Sequence, residues 1–213
     1  MKKLFPAIVL TLFAFVAVAA DYEFPGWRCT DAAKINAALA DAKTDAQKLQ
    51  CRILLAVYDK TFASFTDLRT AVETVVNADT VLPQDVKLST ARDTVKILAW
   101  SRKQNLADAY AWAKLNPSKY DLCIYENWSR PLKLSDTEVY QGIVRCLEQK
   151  YNYKPSVIRV CVEKLIAAAP GADVKTQKAD LQRLNRRFSP LLLTDRAAYE
   201  PIVAMIRTAI DTY

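Results

Sequence analysis

Glycine is the residue this chain does without: among 213 residues there are only Gly26, Gly142 and Gly171. Tight β-hairpins call for positive φ at their central positions, which glycine supplies most easily. A chain with three glycines is poorly equipped to turn strand after strand, and it lacks the glycine-rich loops that cradle phosphates. Ala, Leu, Lys, Asp and Gln dominate instead, a composition that favours helix. The expected fold is all-α, a multi-helical array of antiparallel helix hairpins. Roughly five hairpins of about 38 residues would fit the length, as an irregular repeat-like stack or a compact bundle. No repeated consensus runs through the chain.

The amino terminus has the composition of an export signal. Lys2 and Lys3 form a positive n-region, residues 4–18 an apolar core, and Val18-Ala19-Ala20 a small-residue cut site before Asp21. The apolar run is shorter than the ~20 residues a membrane span needs, so residues 1–20 are expected to be cleaved, leaving 21–213 as a single domain. The short n-region is of bacterial type and places the mature protein in the periplasm or outside the cell. No later stretch resembles a span.

Helical periodicity then fills most of the chain. Thr30-Asp31 opens a helix carrying Ile35, Ala38 and Leu39 on one stripe, and Thr44-Asp45 opens the next, with Leu49, Ile53, Leu54 and Val57. Residues 61–78, 86–101 and 105–115 continue the pattern. Asn116-Pro117-Ser118 stops it before a short aromatic segment, 120–128. Residues 135–169 read as a helical hairpin: Ser135 and Glu138 stand at capping-box spacing, and Pro155 suits the first turn of the second arm. Residues 157–162 alternate well enough for a strand, but the run continues to Ala169, which favours helix. Asp173 to Phe188 and a last helix from Thr194-Asp195 complete the series, with a kink or break expected at Pro201.

The five cysteines are Cys29, Cys51, Cys123, Cys146 and Cys161. None has the two-residue spacing of a zinc knuckle or a dithiol redox centre, and no cofactor or metal is expected. Disulfides are the default in an exported chain. Cys146 and Cys161 lie about equally far from the hairpin turn and form the expected staple; Cys29–Cys51 is a second pair, and Cys123 could instead partner Cys146.

Histidine is absent, which removes the commonest general base, the commonest metal ligand and every Ser-His or Cys-His nucleophile pair. A pair of carboxylates could still cleave a glycosidic bond; Asp121, Glu126, Asp136 and Glu138 are the candidates, although the last two stand where acidic residues serve a helix dipole. Trp112, Tyr120, Tyr125 and Trp128, with Arg130 beside them, form an aromatic and cationic cluster able to grip a sugar, a peptide or a stacked base, although Trp and Tyr at helical spacing more often serve as core. Beyond residues 1–20 the cationic surplus falls wholly in residues 127–213, including Lys175, Lys178, Arg183, Arg186 and Arg187 on one predicted helix. That helix reads mostly as a solvated face, and nucleic acid is a disfavoured partner. Together these features point to an exported helical binding or assembly protein whose partner is another protein or a cell-envelope polymer; the alternative is a carboxylate-dependent cell-wall or glycan-cleaving enzyme.

Overall fold

The computed structural model describes residues 31–149, 151–168 and 173–213. The expected signal segment, the leader that follows it and Cys29 lie outside the described residues. All regular structure in the described residues is helical. Nine α-helices follow in order: α1 (Ala32–Asp41), α2 (Asp45–Val57), α3 (Phe65–Asn77), α4 (Gln84–Arg102), α5 (Leu106–Leu115), α6 (Asp136–Glu148), α7 (Pro155–Ala167), α8 (Val174–Phe188) and α9 (Arg196–Thr212). A π-helical turn (Ile124–Trp128) stands between α5 and α6, and a 3-10 segment (Ser189–Leu193) joins α8 to α9. No described helix is long and apolar enough to cross a membrane.

Local chemistry sets the starts. The Thr44 hydroxyl accepts from the Gln47 amide while the Gln47 side chain accepts from Thr44 N–H, and Ser64 with Asp67 and Ser135 with Glu138 repeat this reciprocal box. Asp31, Asp173 and Asp195 cap α1, α8 and α9 with a single carboxylate each.

Packing follows the chain. α1 lies on α2, α2 and α3 both pack on α4, and α5 packs on α4. Beyond the π-turn, α6 pairs with α7, and α8 and α9 close over them. The two groups share one hydrophobic core that runs from Ile35 and Leu54, through Trp100 and Ile124, to Leu184 and Ile206. α4 is the pivot of the first group. Its residues 94–100 are all buried, so this stretch of the helix is surrounded rather than amphipathic.

Three expectations need correction. The 135–169 hairpin forms, but Cys146 and Cys161 carry free thiols and do not staple it. α6 ends at Glu148, so Cys146 lies two residues from its end while Cys161 lies six residues past Pro155. That stagger is about 6 Å along the axis, which takes up most of the ~7 Å between Cα atoms that a disulfide tolerates before the helices are set side by side. Cys123 is also a free thiol, so the alternative pairing with Cys146 is absent too. Second, the helix does not break at Pro201, which lies inside α9. Proline removes one backbone bond there, and packing against α7, α8 and the 3-10 segment holds the helix around the gap. Third, the basic face of α8 is not merely solvated. Arg183 Nε donates to the Glu148 carboxylate at 2.7 Å, and Arg187 donates to Glu148 O at 2.9 Å and to Tyr151 O at 3.4 Å. These arginines cap the end of α6 and tie α8 to it.

Candidate functional site

The aromatic cluster falls on α5, the π-turn and the chain between them, the stretch that joins the two helical groups. Tyr120 and Tyr125 are buried, at 5% and 1% exposure, while Trp112 and Trp128 are half-buried and Arg130 is exposed. Trp112 receives the Phe65 ring edge-on at 5.6 Å between centroids, and the Arg69 guanidinium and the Lys96 ammonium stand 5.4 and 5.8 Å from its ring. Lys119 lies over Tyr120 at 5.2 Å and Lys103 over Trp128 at 5.6 Å. The rings therefore already have cations of this chain on them. Of the four, Trp128 is half-buried beneath a cation, Lys103, that is itself exposed.

Tyr125 belongs to the interior. Its ring lies on Gly142 of α6 so closely that a Cβ there would stand 2.0 Å from the ring carbon that bears the hydroxyl. Its hydroxyl accepts from Arg145 at 3.3 Å. Burial drives its phenol well above the ordinary value, and Tyr110, hydrogen-bonded to it, is raised in the same way. The backbone of the turn is held by α7: Lys164 Nζ donates to Tyr125 O at 2.8 Å and to Glu126 O, and the Cys161 thiol reaches Leu122 O at 3.9 Å. A π-turn leaves carbonyls off the regular ladder, and a lysine ammonium satisfies two of them here.

Sequence reasoning missed the most heavily buried charge in the described residues. Lys96, at 1% exposure, donates to Asp121 Oδ1 at 2.6 Å and to Asn116 O. The other Asp121 oxygen accepts the Ser118 amide at 2.7 Å. Burial pushes the Lys96 amine down and the Asp121 carboxyl up, each opposed by the attraction of the other. Asp93, one turn before Lys96, is also raised by burial, and its Oδ1 has no hydrogen-bond partner. The Arg92 Nε that stands 3.9 Å away is too far to supply one. A signal was present: Lys96 sits inside the apolar run Val95-Lys96-Ile97-Leu98-Ala99-Trp100, where a lysine needs a buried partner.

The carboxylates suggested for glycan chemistry are dispersed in role. Asp121 is bound to Lys96 and Ser118, Glu138 to its capping box, and Glu126 accepts from the Asn127 amide at 3.0 Å, while Asp136 is exposed in the first turn of α6. The thiols are insulated: burial pushes Cys123 up to about 11, Cys146 up to about 12 and Cys161 higher still. They are thiols rather than thiolates, and so poor nucleophiles and poor metal ligands. Among the described residues, no group of three or more acidic or thiol side chains is placed to hold a metal ion.

An open groove of about 540 Å³ lies where α2 and α4 end together, between residues 58–61 on one side and 101–104 on the other. Its size falls within the range of small-ligand sites. Arg102 spans the base, donating to Val57 O at 2.7 Å and Lys60 O at 2.8 Å, which satisfies carbonyls left over at the end of α2. Lys103, left-handed at φ 57°, carries the groove to the Trp128 ring. The lining mixes polar and apolar surface, with Tyr58, Thr61, Ser101 and Gln104 among its hydroxyl and amide groups. No family model, no curated protein and no solved structure matches this chain.

Proposed function

We propose that this chain is an exported protein, periplasmic or secreted, that works by binding: a rigid helical scaffold that engages a cell-envelope polymer or another protein through the groove at the ends of α2 and α4, with Trp128 at its rim. The observation that carries this reading is the groove itself, an open recess built from two helix ends that a shared guanidinium holds in place. The commitment of Asp121 and Glu138 to internal contacts supports binding over carboxylate catalysis. The export assignment rests on residues 1–20, and in that setting Cys29 and Cys51 remain the pair proposed to close as a disulfide.

Co-sedimentation with insoluble peptidoglycan tests the reading. Mature wild-type protein is expected in the pellet, and a Gln104→Ala, Trp128→Ala double variant in the supernatant with its thermal melting retained. Equal pelleting of both proteins, or no pelleting of either, removes the groove from the account. Hydrolysis of peptidoglycan or of a chromogenic glycoside, abolished by Glu126→Gln, would instead establish the enzymatic alternative.

A further inference from the structure

The chemistry of the groove narrows what it takes. Two helices end there, and their terminal carbonyls would favour a cation if left bare. Arg102 already answers those of Val57 and Lys60. The exposed charges that remain on the lining are the ammonium groups of Lys60 and Lys103 against the single carboxylate of Asp59. Thr61 and Gln104 add groups that pair with hydroxyls, and the Trp128 ring stands 5.6 Å from the Lys103 ammonium. Cations, short polar side chains and one aromatic face answer the three surfaces of an acidic sugar: its carboxylate, its hydroxyls and its apolar C–H face.

We propose that the groove binds a carboxylate-bearing saccharide, the carboxylate between Lys60 and Lys103 and a ring face on Trp128. This inference rests on the binding reading above and specifies its ligand. Lys103 leaves the tryptophan as the sugar arrives, exchanging a cation–π contact for a charge-assisted hydrogen bond. An acidic peptide would satisfy the lysines but would leave unused the half-buried indole ring beneath Lys103, which is why the saccharide is favoured.

The test is calorimetric titration of the mature protein with three probes at low salt: tetragalacturonate, neutral chitotetraose, and tetraglutamate. Binding of the galacturonate alone is expected, weakened about tenfold by Lys103→Gln through loss of the charge-assisted bond, weakened by added salt, and lost in Trp128→Ala. Trp128→Phe should restore part of it, and indole fluorescence should change on binding in wild type. Equal binding of chitotetraose would overturn the role of the carboxylate, and equal binding of tetraglutamate the role of the sugar. Binding indifferent to Lys103 and Trp128 would overturn the location. If no probe binds while the wild type still pellets with peptidoglycan, this inference fails and the binding reading stands; if neither occurs, both fail.

Discussion

At the scale of single residues, the energetics concentrate on α4. Lys96 and Asp121 are both removed from water, so each depends on the other far more than an exposed pair would. Replacing one partner leaves an uncompensated buried charge, which costs about 3–5 kcal/mol, whereas replacing both with apolar residues of similar size is often close to neutral. Lys96→Met and Asp121→Leu are each expected to destabilise by that amount, and the double variant by less than either alone. Urea unfolding of the four proteins measures the coupling; additive losses would mean that the pair does not act as a unit. Asp93 behaves differently, because its raised carboxyl carries an oxygen without a hydrogen bond. The folded state holds the Asp93 proton more tightly than the unfolded state does. The stability it contributes is therefore full below the unfolded carboxylate value of about 3.9 and is lost as pH rises through the higher folded value. Asp93→Asn should raise the melting temperature at pH 7, with the advantage vanishing near that acidic limit. A lower melting temperature at pH 7 would show that the attraction of Arg92, Lys96 and Lys119 outweighs burial.

At the scale of elements, the π-turn and α6 are fitted to each other. A glycine inside a helix usually costs stability, and Gly142 is there because the Tyr125 ring occupies the space its side chain would fill. Gly142→Ala should destabilise by about 2 kcal/mol through overpacking and should shift the near-ultraviolet dichroism of the buried tyrosine. In a Tyr125→Leu background the same substitution should cost much less; an unchanged cost would show that the close approach is not what excludes a side chain. Capping signals made most helix starts legible: Asp31, Thr44, Ser135 and Asp195 stand where helices begin, whereas α3 starts at Phe65 behind Ser64 rather than at the expected residue 61. The π-turn was legible only as an aromatic segment, because its geometry depends on Lys164 arriving from α7, 38 residues further along. The roles of Arg183 and Arg187 were hidden for the same reason, since their partners sit at the end of α6.

At the scale of the whole molecule, the two helical groups share one continuous core, to which Tyr110, Leu122, Ile124 and Tyr125 of the segment between them contribute. Urea unfolding is expected to be a single transition, followed identically by far-ultraviolet dichroism and tryptophan fluorescence. Two separated transitions would make the groups independent domains. The sequence by itself determined the all-α class, the order of the helices and most of their starts, because scarce glycine, apolar periodicity and capping side chains act over one or two turns. The Val157–Val162 stretch came out helical on length alone. Only the tertiary structure decided that Cys146 and Cys161 miss each other by a helical turn, that Lys96 meets Asp121 and that Tyr125 is core. It alone made a groove from two helix ends separated by more than forty residues. Those outcomes depend on the axial stagger and rotation of packed helices, which no local spacing in the chain encodes.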